Sequence, residues 1–229
     1  GFGKVILGGN DAAGEYYGIG SSDIIAEDER PSVVSASIGT SDDIVAADGD
    51  NNKIMYQLPA MGGLTMGVSF TDSGATAGTD TTAYGARYTM DAGGNTVTIA
   101  AATATTEAAT NDTDSQNLAV KVVSGDMTFV VAQGSVESVA DDHDTVGVAV
   151  SYKMANGMVL GAYTMKSEDD KDTAEEYTAS GVELQYTIAA GLKAYINVDD
   201  YEYTAATSGG QTTTSDSGTN SKLTIKATF

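Results

Sequence analysis

The sequence predicts an all-β chain, a transmembrane antiparallel up-and-down β-barrel. Three observations predict it. Apolar and polar residues alternate with period two from residue 52 onward, tight glycine turns alternate with longer polar connections, and tyrosines recur at a similar distance before those turns. Helical spacing appears nowhere at comparable length.

The chain opens on Gly1-Phe2-Gly3-Lys4-Val5-Ile6-Leu7-Gly8, which reads as a strand and not as a secretory signal. Such a start fits a processed envelope protein and also a fragment that begins in mid-protein. Beyond residue 52 the alternation is regular. Leu64, Met66, Val68 and Phe70 face Thr65, Gly67, Ser69 and Thr71; Val146, Val148, Val150 and Tyr152 face Gly147, Ala149, Ser151 and Lys153; Val182, Leu184, Tyr186 and Ile188 face Glu183, Gln185 and Thr187. A strand with this pattern presents one apolar and one polar face. Twelve strands are expected at about 2–7, 52–59, 64–72, 81–91, 95–105, 115–124, 126–137, 143–153, 157–167, 175–188, 191–203 and 219–229. Strands 95–105 and 157–167 alternate poorly and are rich in small residues, which suits a face turned to a neighbouring subunit or a loop.

Five connections carry tight-turn chemistry: Ala60-Met61-Gly62-Gly63, Ala92-Gly93-Gly94, Ser124-Gly125-Asp126, Ala155-Asn156-Gly157 and Ala189-Ala190-Gly191. The stretches between them, near 73–80, 106–114, 138–144, 167–176 and 204–218, are longer and polar. In a meander every second connection lies at the same end of the sheet. One end is then all turns and the other all loops, the asymmetry of outer-membrane barrels. Tyr56, Tyr88, Tyr152 and Tyr186 sit on the apolar face shortly before turns, and Phe229 ends the chain, as an interfacial girdle requires. Tyr84, Tyr177, Tyr201 and Tyr203 are expected to form a looser belt at the loop end.

The 229 residues read as one β-barrel domain, 1–229. A formal net charge of −21 argues against nucleic acid and anionic membrane surfaces as partners. With no Cys, disulfides, Cys-zinc sites and thiol catalysis are excluded. No apolar run is long enough for a transmembrane helix.

One connection breaks the pattern. Residues 9–51 form a long acidic loop containing Asp11, Glu15, Asp23, Glu27, Asp28, Glu29, Asp42, Asp43, Asp48 and Asp50 against a single Arg30. Loops of this length inside a domain are usually functional. Asp23–Glu29 is expected to form a helical turn capped by Ser22 or Asp23.

A strand followed by that loop, then Asn52-Lys53-Ile54-Met55-Tyr56-Gln57-Leu58-Pro59 and a Gly-Gly turn, resembles the general porins of α-proteobacteria. The terminal Ser221-Lys222-Leu223-Thr224-Ile225-Lys226-Ala227-Thr228-Phe229 resembles the closing strand of outer-membrane proteins. The resemblance implies sixteen strands per barrel, a homotrimer, and a third loop folded inward to narrow a water-filled pore. It implies passive diffusion of ions and small hydrophilic solutes in a Gram-negative outer membrane, in contact with membrane lipid and lipopolysaccharide. If Gly1–Gly8 matches the fifth strand, four strands on the order of eighty residues precede it; a true twelve-stranded barrel is the other possibility.

A porin works through pore size and fixed charge. The polar strand faces carry Lys4, Lys53, Arg87, Lys121, Lys153, Lys193, Lys222 and Lys226. The expected constriction pairs basic wall residues Lys4, Lys53, Arg87, Lys121 and Lys153 with loop carboxylates Asp11, Glu15, Asp23, Glu27, Asp28 and Glu29, giving a transverse field and a weak cation preference. Lys4, Lys53 and Arg87 are the favoured narrowest points, because their strands neighbour the long loop in sequence. Calcium is a candidate ligand for Asp42, Asp43, Asp48 and Asp50, since hard cations take oxygen ligands; no other cofactor is expected. The acid clusters Asp141, Asp142 and Asp144, and Glu168 to Glu176, read as solvated loops. Tyr195, Tyr201 and Tyr203 hint at a sugar path.

No enzyme is expected. His143 is the single His, placed among aspartates, and no Gly-x-Ser-x-Gly elbow accompanies it. Gly18-x-Gly20 lacks the following helix of a nucleotide fingerprint. The competing reading is a secreted or surface-layer calcium-stabilised β-sandwich or adhesin. It requires the apolar residues to pack together in a dry interior.

Overall fold

The computed structural model describes residues 1–25, 52–72, 80–107, 111–139, 142–169, 175–204, 207–208, 211–212 and 215–228. Its strands are β1 (Lys4–Gly9), β2 (Asn52–Gln57), β3 (Leu64–Asp72), β4 (Asp80–Ala92), β5 (Asn95–Glu107), β6 (Thr113–Ser124), β7 (Met127–Ser138), β8 (Asp142–Lys153), β9 (Val159–Asp169), β10 (Glu176–Ala189), β11 (Leu192–Thr204) and β14 (Asp216–Ala227). These form one antiparallel sheet in which each strand pairs with its sequence neighbour. A separate hairpin, β12 (Thr207–Ser208) with β13 (Gln211–Thr212), lies between β11 and β14 and was not expected from the sequence. After β1 come a short helix α1 (Ala13–Tyr17) and a 3-10 turn (Ser21–Ile24).

The hairpins follow from their turn residues. Gly93 (φ 69°) and Gly94 (φ 87°) hold the two left-handed positions between paired Ala92 and Asn95, the geometry that matches strand twist. The expected segregation of loop lengths is less strict than the sequence suggested. The β7–β8 connection shrinks to 139–141, whereas the β8–β9 turn occupies 154–158. Asp142 and His143 continue the ladder opposite Glu137 and Val136. Charge at the strand end was read as loop, yet backbone pairing is made by main-chain groups and continues through charged residues at a rim.

The two faces differ in what covers them. The apolar set is the uncovered one: Val148 is 45% exposed, Leu223 66%, and Tyr56, Tyr84, Tyr88, Tyr152 and Tyr186 are exposed with them. A sandwich would bury these residues, so that alternative is overturned. The opposite face carries α1 and the 3-10 turn, which pack across β3 to β5 and β7 to β9. Tyr177 and Tyr203, expected in an outward belt, are 0% and 1% exposed on this covered face. The register explains the correction: Tyr177 lies opposite Ser167 and Tyr203, in phase with Asp199 and Tyr201 and out of phase with the apolar Ile196 and Val198.

A charge on the uncovered face tests the assignment. Val148→Arg should lower unfolding free energy in lipid vesicles by about 2–4 kcal/mol, the cost of a cation at mid-bilayer depth. A urea titration that does not move would place Val148 away from lipid.

Candidate functional site

The site is built where the loop meets the wall. A five-residue helix such as α1 has no independent stability, so its position depends on the contacts it makes. Ala12, Ala13 and Tyr17 pack with Met55, Ala83, Ala102 and Ala104; Ile19 packs with Ala100, Ala119, Val130 and Ala132; Ile25 packs with Tyr163, Met165, Tyr177 and Ala179. The small residues of β5 are therefore the floor of a docked loop. A Cβ built at Gly85 would stand 2.5 Å from Ala13 O and 2.5 Å from Tyr17 Cβ, and one at Gly161 would stand 2.6 Å from Ile25 Cδ1. Poor alternation in 95–105 and 157–167 thus has its cause in close approach of the loop.

Polar side chains of the wall then grip the loop backbone. Arg87 Nε donates to Tyr17 O at 2.8 Å, and its second guanidinium nitrogen donates to Gly18 O. A cation at the last carbonyls of a helix is the favourable end for it. Asn117 Nδ2 donates to Ile19 O at 3.1 Å while its Oδ1 accepts from Ile19 N at 3.1 Å. Ser69 Oγ accepts from Ala13 N at 2.8 Å. Burial holds the Tyr17 phenol above its ordinary pKa; Tyr16 beside it acts in the same direction and Arg87 opposes.

While the apolar residues of the loop lie against the wall, Asp11, Glu15 and Asp23 are exposed. Most of the expected turn at Asp23–Glu29 lies outside the described residues. Asp23 Oδ2 accepts from Gly20 N at 3.1 Å, which fixes the 3-10 turn at Ser21–Ile24. Glu27, Asp28 and Glu29 lie outside the described residues, as do Asp42, Asp43, Asp48, Asp50, Asp141 and Phe229.

Lys4, Lys53, Arg87, Lys121 and Lys153 all fall on the loop-bearing face by register. They are not brought to one point. Arg87 grips loop carbonyls, Lys53 is 3% exposed at the loop end of β2, and Lys4, Lys121 and Lys153 lie toward the tight turns. His143 is buried near the start of β8 and is not an exposed loop residue.

The sequence reading missed a buried polar network on β9 to β11 of the same face. Tyr163 OH donates to Asp199 Oδ1 at 3.0 Å, Asn197 Nδ2 donates to Glu183 Oε2 at 3.0 Å, and Tyr203 OH donates to Glu175 Oε1 at 2.5 Å. Gly181 leaves room for this packing, since a Cβ there would lie 2.6 Å from Tyr163 Cε1. The available signal was the polar phase of these strands, in which Glu183, Asn197 and Asp199 all stand.

A meander sheet with one exposed apolar face and a loop docked on its polar face has known counterparts. The profile of the Gram-negative porin family matches residues 1–226. The anion-selective porin from Comamonas acidovorans superposes with a TM-score of 0.68 at 13% identity, over 100% of this chain and 75% of that one. OmpT of Vibrio cholerae, an outer membrane protein solved in a trimer form, gives a TM-score of 0.67 at 14% identity, over 99% and 77%. No curated protein matches the sequence. Identities this low establish likeness of fold, and the family profile supplies the membership. The chain belongs to the Gram-negative porin family, channel-forming β-barrel proteins of the outer membrane.

Proposed function

We propose that this porin is a general diffusion channel with a weak cation preference, trimeric, with sixteen strands per barrel and its third loop folded inward. The observation that carries the proposal is the loop itself. Residues 12–25 pack on the loop-bearing face of the sheet while Asp11, Glu15 and Asp23 are exposed, which supports their standing at the constriction. The neighbours support the strand total, since the twelve-stranded sheet covers 75% of the Comamonas porin, and the OmpT trimer supports the assembly. The stretch Asn52–Pro59 supports an α-proteobacterial source, and the exposed apolar face supports contact with membrane lipid and lipopolysaccharide. Calcium held by Asp42, Asp43, Asp48 and Asp50 is part of the same proposal.

Carboxylates at a wet constriction attract cations weakly, and salt screens them. In planar bilayers with a KCl gradient, the reversal potential should show cation preference at low salt that fades toward neutrality near 1 M. A steady anion preference across that range would overturn the proposed selectivity, and calcium chelation without effect on the loop would remove the metal.

A further inference from the structure

Close approach of the loop accounts for Ala100, Ala102 and Ala104, which stand on the loop-bearing face. It does not account for Ala86 and Ala101, which lie directly opposite each other on β4 and β5 and belong to the other face. Their row of partners runs from Met66 on β3 through the two alanines to Leu118 on β6 and Gln133 on β7. Leu118 is 57% exposed, and Tyr84, one row nearer the loops, is 54% exposed. Tall side chains therefore flank a floor one methyl high. The result is a groove of about 790 Å³ in the exposed apolar face, inside the roughly 300–1,000 Å³ of small-molecule sites.

The groove has a direction. On its loop side it meets Thr103, Gln116 and Ser135, the next row of partners. Two residues further along β6 and β7, about 7 Å at the rise of a strand, stand Asp114 and Glu137, both exposed and directly opposite each other. Among the described residues of β3 to β7 this face carries no basic side chain, since Arg87 and Lys121 belong to the loop-bearing face. Every lipid tail in a bilayer is equally apolar, so burial alone selects no occupant; packing and polar contacts do. An apolar floor, then amides, then carboxylates complement an acyl chain, its ester carbonyls and a cationic head in that order. A second copy would bring a sheet several strands wide, which bridges the tall side chains without entering between them.

We propose that this groove binds one membrane lipid with a primary ammonium head. An acyl chain lies over Ala86 and Ala101, its ester carbonyls accept from the Gln116 and Gln133 amides, and the ammonium reaches Asp114 and Glu137. The inference rests on the exposed apolar face meeting the bilayer. A primary ammonium is selected over trimethylammonium because it has N–H groups to donate to the carboxylates, and the same carboxylates repel an anionic head.

The chain has no Trp, so a single introduced one reports its lipid neighbours. Val120→Trp places it beside the groove, two residues from Leu118 on β6, and Ile196→Trp places a control on β11, outside the groove. The full chain is reconstituted in phosphatidylcholine vesicles, with brominated phosphatidylethanolamine, phosphatidylcholine or phosphatidylglycerol as quencher. At Val120→Trp the ethanolamine lipid should bind at least about fivefold more tightly than the choline lipid, with the glycerol lipid weakest. In the same background the preference should vanish in Ala101→Phe, which fills the floor, and in Asp114→Asn/Glu137→Gln, which removes the charge. Heat-modifiable migration checks that each variant is folded, and Ile196→Trp should show no preference. Three results would overturn this site while leaving the porin reading intact: equal quenching by the three lipids at Val120→Trp, a preference that survives either variant, or displacement of the ethanolamine lipid by lipopolysaccharide with magnesium as readily as by its own unbrominated form. Absence of quenching at both positions would overturn lipid exposure of the face and the porin reading with it.

Discussion

Arg87→Glu should give the largest change in ion selectivity of any single substitution in this porin. The native guanidinium donates to Tyr17 O and Gly18 O, and hydrogen bonds to a charged group contribute roughly 1.5–3 kcal/mol each. A carboxylate in its place faces two carbonyl oxygens and repels them, so the loop is released at the C-terminal end of α1. The substitution also changes the local charge by two units. At about 8 Å in water that is about 1 kcal/mol for a passing monovalent ion, and salt at 0.1 M halves it. Cations gain and anions lose by that amount, so the permeability ratio should move toward cations about fivefold. Arg87→Ala separates the two effects: it loosens the loop, seen as larger and noisier conductance steps, with a smaller shift in reversal potential. An unchanged reversal potential in Arg87→Glu would show that Arg87 does not face the ion path.

The fold was legible because a period of two is a local property. Val146 to Tyr152 or Val182 to Ile188 reveal their two faces without reference to any other strand, and the tight turns fix which strand pairs with which. The segment containing Asp142 was misread because acidity is a signal about water, and a rim strand and a loop are equally wet. The site was less legible for a different reason. That Arg87 and Asn117 meet residues 17–19 depends on a contact between segments about 70 and 98 residues apart, and no local pattern encodes it. The tyrosine correction shows the same limit. Tyr203 is a plausible girdle residue by type and position along the strand, and only its phase relative to Ile196 and Val198 places it on the inner face. Glycine was the underused clue. Gly67 and Gly85, paired across β3 and β4, interrupt good strand formers at a cost in stability, which is an indication that another part of the chain must come close.

That clue leads to the second large effect. Gly85→Phe should free the loop without dismantling the sheet. Gly85→Ala is the milder case: its Cβ at 2.5 Å from Ala13 O and Tyr17 Cβ requires a shift of about an ångström, within the roughly 1–3 kcal/mol that overpacked sites absorb. A phenyl ring needs the volume that Tyr17 occupies, and one of the two must leave. The strand cannot, because β4 is bonded along its length to β3 and β5. The loop can, because it is held here by five hydrogen-bonded contacts from Ser69, Arg87 and Asn117. Lifting Tyr17 draws Gly18 and Ile19 away with it, so Arg87 and Asn117 lose their partners together. The expected result is native heat-modifiable migration, a single-channel conductance about twofold larger as the constriction opens, and amide exchange at Ile19 faster by at least about tenfold. If Gly85→Phe folds and leaves both conductance and Ile19 exchange as they were, α1 does not sit against β4 in the membrane.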